Sequence, residues 1–323
     1  MKKCLLIFYS GTNNTTFLTE KVKNRLQNSD YEVDVYRINP LNLEVLNLSK
    51  YDIVGIGYPI YGFNLPGIVH KFFKKQKFIR GQRYFIYKNS GETYATNSTS
   101  SLVLKRMVKR AKGNLTNEYH FIMPYNIHFR YEENLVKEML TIDELLLDIM
   151  VKEINENIPN MQKYKFIYRF INRPMRLTYI GGNINVAFYK VDKNKCSGCG
   201  LCIKGCQMKN IYKDKNGKIK FHHKCLMCMN CTLNCPKDAI KMGIFNSWKV
   251  NKPYNLPEIE KIELENPIIT ENTKGFFKCY IKTYKEIKAR HKELFGEWNI
   301  NESRPIKACF FYLTILILNL RFR

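Results

Sequence analysis

Apolar runs alternate with stretches of helical periodicity along the first 125 residues. Strand-length apolar runs occupy residues 3–9, 51–58, 83–87 and 119–123. Amphipathic helical spacing occurs in residues 16–27, 67–76 and 99–112. Alternating strands and helices predict an α/β domain with a doubly wound parallel sheet, in which ligands bind beyond the carboxyl ends of the strands.

The first apolar run ends in a loop of small and hydroxyl-bearing residues that leads into the first predicted helix. Its residues are Ser10, Gly11, Thr12, Asn13, Asn14 and Thr15. The first N–H groups of a helix have no internal acceptor, so this arrangement favours an anion such as phosphate. The loop matches neither G-x-x-x-x-G-K-[ST] nor G-x-G-x-x-G, which favours a single terminal phosphate over a nucleoside triphosphate or a dinucleotide. A serine and threonine helix cap without a ligand is the alternative.

Two further loops follow the second and third apolar runs. Their residues are Pro59, Ile60, Tyr61 and Gly62 in one loop, and Ser90, Gly91 and Glu92 in the other. The carboxyl ends of parallel strands lie at the same edge of a sheet, so all three loops are expected to converge on one site.

The strongest signal for chemistry is a pair of cysteine motifs, each spaced C-x2-C-x2-C-x3-C. This is the spacing of two-cluster bacterial ferredoxins, in which three closely spaced thiolates bind one cubane and the fourth binds the other. The motifs assign Cys196, Cys199, Cys202 and Cys235 to a first [4Fe-4S] cluster, and Cys225, Cys228, Cys231 and Cys206 to a second. Such a chain transfers electrons.

Two other uses of cysteine fit the pattern less well. A structural zinc site needs four ligands and offers no reason for a repeated run of this kind. Disulfides suit small secreted domains, whereas residues 1–9 lack the apolar segment of a secretory signal, so we expect a reducing cytoplasm. Cys4, Cys279 and Cys309 lie outside the motifs and are interpreted as buried apolar residues without a ligand role.

The chain resembles a bacterial family in which a flavodoxin-like domain precedes a two-cluster ferredoxin domain. The resemblance rests on the three loops, on the two cysteine motifs and on Met123-Pro124-Tyr125-Asn126, which lies between the loops and the motifs. The resemblance implies an α/β flavodoxin-like doubly wound parallel sheet followed by a small α+β ferredoxin domain. It also implies FMN, with its phosphate on residues 10–15 and its ring between the loops at 59–62 and 90–92.

Three tyrosines are candidates to stack on the flavin ring, each with a core or surface role as the alternative: Tyr58, Tyr61 and Tyr94. Glu92 is expected to stabilise its own loop rather than to act as an acid or base. Asn13 stands where the flavodoxin pattern usually has glycine; asparagine tolerates the left-handed backbone better than most residues, so we expect the turn to persist.

The predicted boundaries are 1–156 for the FMN domain, 157–190 for a connecting segment, 191–245 for the ferredoxin domain and 246–323 for a carboxyl-terminal extension. Within the ferredoxin domain, residues 211–221 are expected to form a hairpin with a two-residue Asn216-Gly217 turn. His222 and His223 are expected to face solvent. Gln207 replaces the proline that follows the last cysteine of such motifs, and its amide is expected to lie close to the second cluster and to affect its potential.

The formal charge of +25 is concentrated around the ferredoxin domain. Residues 151–250 contain 19 Lys and Arg against 5 Asp and Glu. Part of this excess offsets the charge of the clusters, and the remainder favours an acidic redox partner. No helix-turn-helix, zinc-finger or RNA-binding motif is present, so a specific nucleic-acid partner is not predicted.

The carboxyl-terminal extension contains a predicted helix at about residues 274–295 and an apolar segment at 306–320. The apolar segment is shorter than the roughly 20 residues that span a bilayer. We expect it to pack against the core or to be an adventitious tail, with a peripheral membrane contact as the alternative.

These features together predict a cytoplasmic protein that passes electrons between two [4Fe-4S] clusters, FMN and an unknown partner. Two alternatives remain open. The chain could be a flavin-dependent reductase with its own small substrate, or a ferredoxin whose flavodoxin-like domain is an empty interaction module.

Overall fold

A computed structural model describes residues 1–296, apart from the side chains of Ile171, Thr178 and Tyr179. Cys309 and the apolar segment 306–320 lie outside the described residues. Among the helices within residues 1–296, none is long and apolar enough to cross a membrane.

The amino-terminal half is built on a five-stranded parallel sheet with the order β2-β1-β3-β4-β5. Its strands are β1 (Lys2–Phe8), β2 (Tyr31–Arg37), β3 (Ile53–Pro59), β4 (Arg83–Ser90) and β5 (Asn114–Ile122). This order is that of the flavodoxin-like doubly wound fold, so the predicted fold class is confirmed. Strand β2 was not predicted, because its alternating exposed residues at the edge of the sheet do not form a continuous apolar run.

Helices cover both faces of the sheet. They are α1 (Asn14–Gln27), α2 (Gly67–Lys75), α3 (Leu102–Arg110) and α4 (Glu133–Asn155). Successive residues of a strand point to opposite faces. In β1, Leu6 and Phe8 therefore pack in one core with α1 and α4, whereas Leu5 and Ile7 pack in a second core with α2 and α3.

The carboxyl-terminal extension packs on the same domain. The short helix α9 (Leu256–Ile259) and the long helix α10 (Lys278–Phe295) bury apolar residues in the core shared by α1 and α4. The helix predicted at 274–295 is therefore confirmed. Tyr280 of α10 also donates a hydrogen bond to the carbonyl oxygen of Gly91. Residues far apart in sequence thus support one of the loops at the edge of the sheet.

The cysteine-rich part forms a small α+β unit. It contains β6 (Tyr189–Val191), α7 (Leu201–Gly205), β7 (Ile211–Lys213), β8 (Ile219–Phe221), α8 (Asn230–Leu233) and β9 (Ile240–Met242). Strands β6 and β9 pair, and β7 and β8 form the predicted hairpin. The hairpin turn differs from the two-residue prediction: Asp214 pairs with Lys218 across three residues, and the Asp214 carboxylate accepts the N–H groups of Asn216 and Lys218. Only Gly217 needs a positive φ.

Between the two units, α5 (Ile167–Ile171) and α6 (Thr178–Asn185) form the connecting segment. Asn172 at the end of α5 donates hydrogen bonds to Thr96 and Thr99 in the amino-terminal domain. Asn183 in α6 accepts the N–H of Cys225 at 2.9 Å. The segment therefore contacts both units through polar groups.

Candidate functional site

The loop at residues 10–15 forms the amino terminus of α1. Asn13 is the residue before the helix and has a φ of 74°, in the left-handed region. The prediction that asparagine keeps the turn in place of glycine is confirmed. The first turn of α1 therefore begins directly after Asn13. Its backbone N–H groups have no acceptor within the helix, so they favour an anion at this place.

Side chains from the ends of β4 and β5 fix this loop. Thr15 Oγ1 donates to Asn89 Oδ1 at 2.7 Å, and Asn14 Nδ2 donates to the Pro124 carbonyl at 2.8 Å. Asn126 Nδ2 donates to Thr12 Oγ1. Three strand ends therefore meet at one place, as the sheet topology predicts, and the hydroxyls of Thr12 and Thr15 already have partners.

Ser10 differs from these threonines. Its side chain is 1% exposed, and its hydroxyl has no hydrogen-bond partner among the described residues. A buried hydroxyl without a partner costs free energy unless a ligand or water satisfies it. Ser10 and the first N–H groups of α1 together therefore fit the oxygen atoms of a phosphate group.

The loop at residues 59–62 lies beside residues 10–15. The Ile60 N–H donates to the Asn89 carbonyl at 2.8 Å, which joins the loop to the end of β4, and Pro59 ends β3. Gly62 has a φ of 52°. The hydroxyl of Tyr61 lies against the Cα of Gly11. Burial and the nearby Cys228 raise the pKa of Tyr61 well above its usual range, so its hydroxyl stays protonated.

The loop at residues 90–92 is rigid because its polar groups bind one another. Ser90 Oγ donates to the Glu92 carbonyl at 2.6 Å and is hydrogen-bonded with His120 Nε2 at 2.7 Å. Asn97 Nδ2 donates to Glu92 Oε1 at 3.0 Å. Glu92 is buried, and its carboxylate serves the loop, as expected. A Cβ on Gly91 would lie 2.6 Å from Tyr125 Cε1, so only glycine allows this tyrosine to pack on the loop.

A buried ion triad lies behind this loop. The Lys88 ammonium contacts Glu118 Oε1 at 2.7 Å, and Lys105 contacts Glu118 Oε2 at 2.5 Å. Burial and the charge of Lys88 lower the pKa of His120 to about 3, so His120 is neutral at ordinary pH. The triad therefore supports the strand that carries Ser90.

The three tyrosines proposed to stack on a ring occupy different environments. Tyr58 is fully buried in the core with α2 and α3, which is the core role given as its alternative. Tyr94 is 41% exposed and makes an edge contact with Phe276. Tyr61 lies against the loop at residues 10–15. Tyr125, which packs on Gly91, was given no role from the sequence; its place after β5 was the available signal.

The cysteines predicted for the first cluster line one cavity. They are Cys196, Cys199, Cys202 and Cys235. Cys235 comes from the second motif and lines this cavity beside three cysteines of the first, and its role as the crossing ligand stays a prediction. Cys199 is exposed, which places this site near the protein surface.

The other four motif cysteines also lie together, in a more enclosed place. Burial, with the nearby Cys225 and Cys206, raises the pKa of the Cys228 thiol to about 12. Burial, with the nearby Cys228 and the same two neighbours, raises the pKa of Cys231 well above its usual range. Thiols buried in this way release their protons when a positively charged iron site binds them.

The two crossing cysteines have matching main-chain contacts. The N–H of Asn210 donates to Cys206 Sγ, and the N–H of Ala239 donates to Cys235 Sγ, both at 3.3 Å. Each donor follows its cysteine by four residues. N–H groups that point at thiolate sulfur stabilise the reduced form of an iron–sulfur cluster.

The second set of cysteines lies against the amino-terminal domain. A Cβ on Gly11 would lie 2.7 Å from Cys228 Cβ. Gln207 Nε2 donates to the Ser10 carbonyl at 2.6 Å. The amide of Gln207 therefore binds the loop at residues 10–15, and its expected effect on the potential of the second cluster stays a prediction.

The isolated cysteines and the two histidines have ordinary surroundings. Cys4 is fully buried in the core, whereas Cys279 is partly exposed rather than buried. His222 and His223 are exposed as predicted, and His222 stacks on Tyr212 with ring centroids 4.4 Å apart.

Residues 195–240 match the family model described as a 4Fe-4S dicluster domain. An uncharacterized protein of Methanocaldococcus jannaschii is 29% identical over 80 residues, which cover 25% of this chain and 31% of that protein. The matched part is thus about a third of that relative's length.

Solved structures similar to the amino-terminal domain include flavodoxins. A flavodoxin of Streptococcus pneumonia TIGR4 is 16% identical, with 48% of this chain and 99% of that chain covered and a TM-score of 0.35. Flavodoxin 2 of Bacillus cereus is 17% identical, with 37% and 85% covered and a TM-score of 0.32. The strand order itself, rather than these scores, establishes the fold. The chain therefore joins a flavodoxin-like domain to a ferredoxin-type 4Fe-4S dicluster domain, and electron transfer is the chemistry that this second domain supplies.

Proposed function

We propose that this protein passes electrons between two [4Fe-4S] clusters and an FMN bound in the same chain, and on to a partner. One observation carries the proposal: the ligand loop of the second cluster packs directly on the candidate phosphate loop. Cys228 contacts Gly11, and Gln207 binds the Ser10 carbonyl. Two cofactors in these places would lie close together inside one molecule.

The cysteine positions support an order for the electron path. The first set includes the exposed Cys199, whereas the second set includes Cys228, which is enclosed between the two domains. An external partner therefore meets the first site, and the second site connects it to the flavin loops. Cys206 follows α7 and Cys235 follows α8. In this proposal each of them binds the cluster of the other motif, so the two sites are joined by short stretches of main chain.

The residues present fit FMN at its phosphate end. The Ser10 hydroxyl is buried without a partner, and the amino terminus of α1 favours negative charge. We place the ring between residues 59–62 and 90–92, where Tyr61 lies against Gly11 and Tyr125 packs on Gly91. When bound, FMN supplies conversion between one-electron and two-electron chemistry.

Charge supports an acidic partner protein. Residues 191–245 contain 11 Lys and 3 Asp, and most of these lysines are exposed. An excess of one charge attracts a partner of opposite charge and speeds their encounter. Salt weakens this attraction. We place this electron transfer in the reducing cytoplasm, where free cysteines persist.

Cofactor content is the decisive measurement. Anaerobically purified protein is expected to contain about eight iron atoms, about eight sulfides and about one FMN per chain. Ser10→Ala is expected to weaken FMN binding without loss of iron, because it removes the unpaired hydroxyl but no thiolate. Ser101→Ala is the matched control, because it removes another buried hydroxyl that has no partner among the described residues but lies outside the three loops.

Each outcome has a clear consequence. About four irons or fewer, or tightly bound zinc, would contradict the two-cluster proposal. Full iron content without releasable flavin would show that the flavodoxin-like domain is an interaction module. If reduced protein turns over a small acceptor without a protein partner, the chain is a flavin-dependent reductase.

A further inference from the structure

The connecting segment presents an unusual share of the exposed apolar side chains. Of the 21 large hydrophobic residues that are exposed in the described chain, nine lie within residues 164–188. Phe166, Leu177 and Ile184 are each at least 60% exposed. A concentration of this kind marks an interaction surface, whereas single exposed apolar residues need no explanation.

The same segment is basic throughout. Residues 157–190 contain six Lys or Arg and no Asp or Glu. Arg106 of α3 adds to this charge: burial and the nearby cations Arg169 and Arg176 lower its pKa. Exposed cations and apolar side chains therefore occupy the same stretch, which we call the connecting surface (the exposed side chains of residues 163–188).

The connecting surface is not a loose chain. Asn172 Nδ2 donates to the Thr96 carbonyl at 2.7 Å, and Asn64 Nδ2 donates to the Asn172 carbonyl at 3.2 Å. On the other side, Gly182 packs on the Cys225 carbonyl, where a Cβ would overlap. Small and polar residues thus fix the segment to both domains, and its apolar side chains are left on the outside.

We propose that the connecting surface binds the surface of an anionic lipid membrane. Arg169, Arg173 and Arg176 recur every three or four residues among Phe166, Phe170 and Leu177. In a lipid interface each cation can meet a phosphate headgroup while each neighbouring apolar side chain enters the acyl boundary. The cations alternate with the apolar side chains rather than forming a rim around them, which favours a lipid surface over a protein partner.

The inference concerns attachment and does not depend on the presence of FMN. Its test is co-sedimentation of the full-length, cluster-loaded protein with vesicles. We expect binding to phosphatidylcholine vesicles that contain phosphatidylglycerol, and little binding to phosphatidylcholine alone. The triple variant Lys165→Gln, Arg169→Gln and Arg173→Gln is expected to bind about a hundredfold more weakly, from the contribution of three cations near an anionic surface.

Two controls separate this surface from general positive charge. The variant Lys213→Gln, Lys215→Gln and Lys218→Gln removes the same charge from the exposed hairpin and should bind like the wild type. The variant Leu177→Ser with Ile184→Ser keeps the charge and should bind at least tenfold more weakly. Unchanged iron content and unfolding temperature show that each variant is folded.

Several results would overturn the proposal. They are equal binding to the two kinds of vesicle, an equal loss in the hairpin variant, or no vesicle binding by folded wild-type protein. In that last case an acidic protein becomes the occupant of the connecting surface.

Discussion

Gly11→Ala tests the contact between the two domains most directly. The added Cβ would lie 2.7 Å from Cys228 Cβ, whereas carbon atoms in contact are normally about 3.5–4.0 Å apart. The Tyr61 hydroxyl, which also lies against Gly11, is the end of a side chain and can move. Cys228 Cβ is attached to the main chain of the ligand loop, so one backbone segment must shift by roughly 1 Å.

A shift of this kind has a measurable cost. Inserting a methyl group into a packed contact costs about 1–3 kcal/mol, which is a roughly 5- to 150-fold weaker association of the two domains. The midpoint of thermal unfolding is expected to fall by about 2–12 °C. We also expect the EPR spectrum of the second reduced cluster to change while the iron content stays the same, because no cysteine is lost.

Gly181→Ala is the matched control. It makes the same substitution in α6 at a position where a Cβ meets nothing within 4 Å, so stability is expected to stay equal or to rise by up to about 1 kcal/mol. The double variant Gly11→Ala with Tyr61→Phe shows whether the tyrosine hydroxyl contributes. Wild-type unfolding and wild-type EPR in Gly11→Ala would refute the contact between Gly11 and the second-cluster loop.

Three further changes have defined outcomes. Cys235→Ser removes the crossing ligand, so iron should fall to about half and one EPR signal should be lost, whereas Cys279→Ser should keep all iron. Asn13→Ala should reduce the unfolding free energy in urea by about 1–2 kcal/mol, and Asn13→Gly should not, because only alanine is strained at this φ. Burial opposes ionisation of Glu118, but Lys88 and Lys105 lower its pKa below the ordinary 4.5. The contribution of Glu118 to stability is therefore complete above pH 4.5 and is lost when acidification passes its folded-state pKa. The variant Glu118→Gln should lower the unfolding free energy by about 3–5 kcal/mol at neutral pH and remove this acid dependence.

Much of the fold and both cysteine sites followed from local sequence. β1, β3 and β4 are buried on both faces, so each appears as one continuous apolar run. The cysteine spacing was enough to predict which cysteines lie together, because that geometry depends on residues within one short domain. The edge strand β2 was missed because half of its residues face solvent.

Contacts across long sequence separations could not be predicted. Tyr280 binds the carbonyl of Gly91 from 189 residues away. Neither residue stands out locally, since a tyrosine on an amphipathic helix and a glycine in a loop are both common. Only the packing of α10 on α4 brings them together. Local sequence also failed to place the side chain of Tyr58. It follows a glycine in a strand, which gives no sign of which face of the sheet the side chain occupies.

The substitution of Gln207 for proline shows how a departure from a motif acquires a structural role. Pro236, at the matching place in the second motif, is exposed and has no N–H to donate. Gln207 faces the other domain and donates to the Ser10 carbonyl, which also accepts a hydrogen bond from Arg37 at 3.2 Å. A proline there could pack but could not make this bond. One motif therefore keeps the residue suited to a free surface, and the other has a side chain that joins the second-cluster loop to the loop at residues 10–15.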